Sequence, residues 1–464
     1  MEKRGYWKTR LGFYLAAIGS AVGLGNLWRF PYILSENGGG AFVVLYLLFA
    51  LTVGLPLLVG ELILGRTFRQ GVVLSTESLQ PIPIFGTRRW LSLKWVGRLS
   101  FLLSVVVLSY YAVISGWVLH FMTQFFFAIF SPMTTSFDPS LDPLLTSGWM
   151  QMLLASVHIL VTLVVVLKGV QDGIERWVGA MMPVFAVLLV SLVIKSLSLP
   201  SSGEALRFLF YPNFSQLSLS SFSHAIGHVL FTLSVGFGTM VTFGSYLKDS
   251  DAIASSGFRV TIVDTFLSLT AGLLIFPIAL GAGSVELGAT RTDPGLLFET
   301  LPRFLMSLPG GAFFGLAFFV CLYLSALGAS LGLMEVIVSN ALDWSKKKKW
   351  KVQRLEVVWT LGGLILLLSA IPAFSSVIFR ASKNSKGFLE WLDAILINGC
   401  LPLVGLGLSL AISHGLSEME KKRQFIDENK IETQALFPYW RWALKYFVPM
   451  VIIVSLILQI LNSI

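Results

Sequence analysis

The sequence predicts an all-α membrane protein. It would have eleven transmembrane helices in a five-plus-five inverted repeat, with helices one and six broken. Three observations predict this. Of 464 residues, 55% are hydrophobic and only 13% charged, with a mean hydropathy of +0.78, whereas a soluble chain carries about 25% charged residues. Eleven apolar segments approach or exceed the roughly 20 residues that cross a bilayer. Finally, the glycine-interrupted stretch Ser20-Ala-Val-Gly-Leu-Gly-Asn26 is echoed by Thr232-Leu-Ser-Val-Gly-Phe-Gly-Thr239.

The spans read, in order, as residues 11–35, 41–64, 98–125, 150–168, 175–198, 223–247, 257–282, 311–342, 355–375, 390–414 and 442–462. Of the 34 Lys and Arg residues, 25 fall in alternate loops and the others hold seven. The positive-inside rule then puts the N-terminus in the cytoplasm and the C-terminus outside it. The first and sixth spans are separated by five crossings, so they enter the membrane from opposite sides. The chain reads as one transmembrane domain over 1–464, with 11–198 and 223–414 as the inverted halves and 442–462 as an extra peripheral helix.

The first span contains a poor helix. Gly19, Gly23 and Gly25 each lower helix propensity by about 1 kcal/mol relative to Ala, and Pro31 removes a backbone donor. Unwinding within a bilayer is tolerated where the freed amides and carbonyls line a cavity or hold ligands. Asn26 offers an oxygen suited to a small cation, and Arg29 is an intramembrane charge that points to function. The structural alternative is a kinked packing helix with small residues at a crossing.

Several functions are excluded by composition. The net charge of +9 does not indicate nucleic acid, because the basic residues gather on one side of the membrane. Cys321 and Cys400 lie in apolar segments and suggest neither a disulfide nor a metal cluster. The basic N-terminus before an apolar run could pass for a cleaved leader, but the run continues through Arg29 and Pro31 into further spans. No nucleophile–base pair suggests an enzyme, and nothing marks an obligate protein partner. The Lys346–Lys349 run reads as a solvated loop at the headgroups of the lipid bilayer.

RLGFYLAAIGSAVGLGNLWRFPY (10–32), ENGGGAF (36–42), GLPLLVGELILGR (54–66), GIERW (173–177) and FTLSVGFG (231–238) together resemble the neurotransmitter:sodium symporter family, in particular its eleven-span bacterial amino-acid transporters. The resemblance implies a site where the two breaks meet. Amides near Leu24 and Gly25, with the Tyr111 hydroxyl, would bind a substrate carboxylate. Carbonyls of Ala21, Phe231, Thr232 and Ser234 would hold its amino group, near Ser20. Gly23 stands where monoamine carriers place an Asp, so the substrate brings its own carboxylate. Val107, Ser234, Phe237, Ala329 and Leu333 would line an apolar side-chain pocket, which fits a neutral amino acid.

The resemblance also implies sodium sites. The first would use Ala21, Asn26, Thr232 and Asp264, where Asn is common in the family. The negative charge of Asp264 makes a chloride requirement unexpected, although Tyr46 and Ser268 match the family's anion pocket. His228 replaces the usual Gln there, either as a satisfied imidazole or as a proton relay. Asp264 could alternatively carry a proton. A second site would use carbonyls of Gly19, Val22 and Ser325 and two hydroxyls, but those hydroxyl positions hold Gly328 and Ala329. One sodium ion is therefore expected. The gates would be Arg29 with Asp393, and Arg4 and Trp7 with Asp343 near Tyr246. Gly173 and Pro183 match a pattern for unwinding the fifth span. The whole implies sodium-coupled uptake of a neutral amino acid across the inner membrane, with proton coupling or a non-transporting sensor as alternatives.

Overall fold

The computed structural model describes residues 5–83, 90–130, 141–283, 296–378, 388–427 and 431–461. The first crossing is the pair α1 (Arg10–Ala21) and α2 (Gly25–Glu36), bent by 44°. Next come α3 (Gly40–Phe68), α4 (Lys94–Phe130), α5 (Gly148–Leu167) and α6 (Val170–Leu197). A second broken pair follows, α7 (Leu219–Thr232) and α8 (Thr239–Gly244). The chain continues as α9 (Ile253–Gly281), α10 (Gly311–Lys347), α11 (Arg354–Ser375), α12 (Trp391–Gly415) and α13 (Ile431–Leu461).

Among the described residues, nine helices are long and apolar enough to cross a membrane, and the bent α1–α2 pair makes ten. The predicted sixth span of eleven corresponds to α7 and α8, split by the non-helical residues 233–238. The only strands among the described residues are β1 (Ile82–Pro83) and β2 (Trp90–Leu91), a short antiparallel ladder in a loop.

Local sequence explains the irregular turns. Wide π-type turns at Gly25–Arg29, Ala50–Gly54, Leu296–Thr300, Leu396–Cys400 and Ala443–Phe447 each end two residues before a proline: Pro31, Pro56, Pro302, Pro402 and Pro449. Proline has no N–H, and its ring crowds the carbonyl four residues back. Widening the preceding turn accommodates both.

The long helices α4 and α10 pack along each other, with α5 and α11 behind them. α3 packs on α8 so closely that a Cβ on Gly65 would lie 1.9 Å from the Val241 carbonyl oxygen. Outside the spans, Lys347 and Arg98 pair with Glu77 and hold its carboxyl below the usual carboxylate range. The structure extends several predicted spans, two of them past charged residues at their start. α13 begins at Ile431 rather than 442, because Glu432 and Arg441 hide a helix that continues through Pro438. α6 begins at Val170 rather than 175, in a π-type turn that carries Asp172 and Glu175.

Candidate functional site

The two breaks meet inside the bundle. α1 stops at Ala21, and Gly23 N–H then donates to the Ala21 carbonyl at 3.0 Å. Leu24 N–H donates to the Tyr111 hydroxyl of α4 at 2.8 Å. α7 ends in a Schellman turn: Ser234 takes the left-handed conformation (φ 52°), and Val235 N–H reaches back to the Leu230 carbonyl at 2.9 Å. Gly236 and Gly238 also have positive φ, 91° and 77°, which glycine adopts without strain. Ser234 Oγ donates to the Ser20 carbonyl at 2.9 Å and lies 3.3 Å from Ser20 Oγ.

Unwound backbone in a membrane needs partners, and side chains supply them. Gly236 N–H donates to Glu61 Oε1 at 2.6 Å. Ser100 Oγ donates to the Gly236 carbonyl at 2.7 Å and Ser104 Oγ to the Phe237 carbonyl at 2.6 Å. Sequence reading missed Glu61, although a lone carboxylate in GLPLLVGELILGR was the available signal.

Next to the first break lies a buried polar cluster. Asn26 Nδ2 donates to Asp264 Oδ1 and Ser268 Oγ, both at 2.8 Å. Asn26 Oδ1 accepts from Gly23 N–H at 3.3 Å. Tyr46 Oη donates to Asp264 Oδ2 at 3.4 Å and lies 3.1 Å from Ser268 Oγ. Asn26, Tyr46 and Asp264 are fully buried. No ion pair to Asp264 occurs among the described residues. A buried carboxylate with no basic partner is costly. With the Thr232 hydroxyl and the Ala21 carbonyl nearby, this hard-oxygen set fits a sodium ion. His228 stacks on Phe30 at 5.2 Å and lies 5.4 Å from Tyr46. Among the described residues, neither of its ring nitrogens has a hydrogen-bond partner.

Several predicted pocket residues lie against the first break. A Cβ on Gly23 would lie 2.7 Å from Tyr111 Oη and 3.0 Å from Ala329 Cβ, and one on Gly25 2.8 Å from the Phe231 ring. Phe231 and Phe237 stack edge to face at 6.1 Å. Val107 and Leu333 are buried.

The second sodium site does not fit. A Cβ on Gly328 would lie 2.3 Å from the Gly19 carbonyl oxygen, and one on Gly332 2.2 Å from Ser20 Oγ. α10 thus meets α1 backbone to backbone, where the resemblance implies hydroxyl ligands. Ser325 Oγ donates to the Leu322 carbonyl at 2.8 Å. Gly328 and Ala329 therefore supply no side-chain oxygen to an ion beside Gly19, Val22 and Ser325.

The residues predicted as gates lie at two ends of the site. At one end, Arg29 Nε bonds Asp393 at 3.1 Å, Arg29 Nη2 donates to Asn398 Oδ1 at 2.8 Å, and Tyr110 Oη donates to Asp393 at 3.2 Å. Asn398 was not foreseen. At the other end Trp7 is buried, and here the predicted pairing needs correction. Its indole N–H donates to the Phe243 carbonyl, not to Asp343, and its backbone N–H donates to the Tyr246 carbonyl, each at 3.1 Å. The indole has one donor, and the end of α8 supplies a nearer acceptor. Asp343 instead accepts from Gly71 N–H at 2.7 Å. Arg4 lies outside the described residues. Tyr246 Oη donates to Glu335 at 2.7 Å, and Arg354 pairs with that same buried carboxylate. Glu335 and Arg354 went unpredicted, although a carboxylate inside an apolar span was visible.

Comparison with known proteins gives one consistent answer. The model of the sodium:neurotransmitter symporter family matches residues 4–136 and 140–463. An uncharacterized sodium-dependent transporter of Bacillus subtilis, YhdH, is 33% identical over 98% of this chain and 97% of its own. The bovine sodium-dependent dopamine transporter is 26% identical over 99% of this chain and 69% of its own. The crystal structure of MhsT in complex with L-phenylalanine superimposes with a TM-score of 0.85 at 31% identity, over 98% of this chain and all of that one. This multi-pass membrane protein, a sodium-dependent transporter rather than an enzyme, belongs to the sodium:neurotransmitter symporter family.

Proposed function

We propose that the protein carries a neutral, apolar amino acid into the cell together with one sodium ion, by alternating access. The observation that carries this reading is Asp264, fully buried with no basic partner among the described residues and bonded to Asn26 beside the two facing breaks. A sodium ion there, held by Asn26, Thr232, Asp264 and the Ala21 carbonyl, would offset the buried charge. The substrate carboxylate would complete the ion's shell, so each ligand strengthens the binding of the other. Amides at Leu24 and Gly25 and the Tyr111 hydroxyl suit that carboxylate, and carbonyls at the end of α7 suit the ammonium.

Val107, Phe237, Ala329 and Leu333 offer no charge to a charged side chain. MhsT, solved with L-phenylalanine, supports an amino-acid substrate. Asp264 supplies the negative charge that chloride would otherwise bring, so transport needs no chloride. In this reading α1–α2 and α7–α8 are the paired elements of two inverted halves within an eleven-span bundle. The Trp7 end faces the cytoplasm and the C-terminus lies outside the cell.

The test is uptake of labelled neutral amino acids into proteoliposomes, with a sodium gradient and then with potassium replacing sodium at constant pH. Uptake confined to sodium supports the proposal. Uptake unchanged in potassium would point to proton coupling, and binding without uptake to a sensor.

A further inference from the structure

We propose that a carboxylate clasp, rather than a second cation, holds the cytoplasmic half of the first span shut: Glu175 grips the backbone at Lys8 and Thr9. This rests on the symport reading for its direction, not for its geometry. Lys8 N–H donates to Glu175 Oε2 at 2.8 Å, and Thr9 N–H to Oε1 at 3.0 Å. Thr9 Oγ1 donates to the same Oε1 at 2.8 Å and accepts from Gly12 N–H at 2.9 Å. One carboxylate thus holds the two residues just before α1, including its N-cap Thr9, where the helix dipole favours negative charge. Bonds to an ionised acceptor are roughly twice as strong as neutral ones. Gly12 leaves room for the clasp, since a Cβ there would lie 2.1 Å from Oε1.

The clasp is placed to control the gate. Trp7, the adjacent residue, seals the path on α8 and is 1% exposed. Glu175 closes the π-type turn Val170–Glu175, which starts after Gly169 at φ 78°. Gln171 on that turn also donates to the Tyr6 carbonyl at 2.5 Å. Beside it opens a cavity of about 310 Å³, lined by residues including Gly5, Asp172, Tyr246 and Asp343. The turn has space to move, and moving it withdraws three bonds from α1 together.

The need for such a clasp follows from α10. With Gly328 against the Gly19 carbonyl and Ala329 facing Gly23, α10 offers no hydroxyl at the two positions where the resemblance implies ligands for a second ion. Small residues let those backbones pack closely. Rearrangement of the fifth span therefore takes over the release step that loss of a second ion would perform.

The test uses Ala17→Cys, a buried α1 position outside the ion and substrate contacts, in full-length protein with Cys321→Ala and Cys400→Ala. A polar maleimide labels it in detergent without substrate, across a sodium titration. Glu175→Gln should raise the labelling rate tenfold or more at saturating sodium. Thr9→Val, which removes one of the three bonds, should give a smaller rise, and it decides the matter should the first variant not fold. Labelling unchanged in the variant that folds would overturn the clasp. So would parent labelling suppressed by sodium with second-order steepness, which would restore a second ion. Failure of sodium-dependent uptake in proteoliposomes would count against the symport reading instead, since the labelling reads the gate without substrate.

Discussion

Asp264 and Asn26 settle most of what single residues do here. Their 2.8 Å bond orients a carboxylate that no described Lys or Arg neutralises. Replacing Asp264 by Asn keeps the shape and removes the charge. Two unit charges 4 Å apart interact by about 4 kcal/mol at an effective dielectric of 20. The sodium concentration for half-maximal uptake should therefore rise at least tenfold, and chloride should then stimulate the variant but not the parent. Sodium affinity kept within twofold would remove Asp264 from the ion's shell. Gly23→Ala makes a second prediction. The added methyl falls 2.7 Å from Tyr111 Oη, so it must disturb the Leu24–Tyr111 bond. Substrate affinity measured by equilibrium binding should drop more than tenfold while the thermal unfolding midpoint shifts little. Gly23 stands out in the sequence as a helix-weakening glycine inside an apolar span, and Asp264 as an acid where the resemblance implies Asn. Asn398 was not legible. An Asn in an apolar segment has many structural uses, and only the fold brings it 2.8 Å from Arg29.

At the scale of elements, the broken helices were readable because glycine spacing and proline act locally. Their supports were harder to read, since Ser100, Ser104 and Glu61 reach residues 236 and 237 from other helices. Glu61→Ala leaves the Gly236 amide buried without its acceptor. That should cost about 1–3 kcal/mol, read as a lower unfolding midpoint in detergent with weaker substrate binding. Glu61→Gln, which keeps an acceptor oxygen, should recover part of both. The second sodium site shows the same division between local and distant information. The missing hydroxyls at Gly328 and Ala329 were visible in the sequence. The direct approach of Gly328 to the Gly19 carbonyl was not, because it depends on how two distant helices cross. Gly328→Thr is thus expected to push α1 away rather than to rebuild a ligand, with lower transport and no gain in sodium steepness.

For the whole molecule, Arg29 is buried beside Asp393 and Asn398 at one end of the site, and Trp7 is buried on α8 at the other. A cycle that uses one ion should show first-order sodium dependence of uptake, with a Hill coefficient near 1. A value near 2 would require a second ion despite the α1–α10 contact. Arg29→Ala should loosen the Asp393 end, raising the off-rate of bound substrate while leaving labelling at Ala17→Cys near the parent rate.

The long pair α4 and α10 carries one more consequence. Each runs 37 residues, about 55 Å at 1.5 Å per residue, against a hydrocarbon layer of about 30 Å. They lie along each other, so neither can tilt alone to hide its excess length. Lys94 and Trp95 at the start of α4 and Trp344, Lys346 and Lys347 at the end of α10 mark where the rods leave the lipid, as aromatic and basic anchors do. A bilayer of the wrong thickness would pull on this anchored pair and shift it relative to the broken helices at the site. Acyl-chain length is thus a hidden variable of transport, with thicker or thinner membranes changing turnover more than substrate affinity.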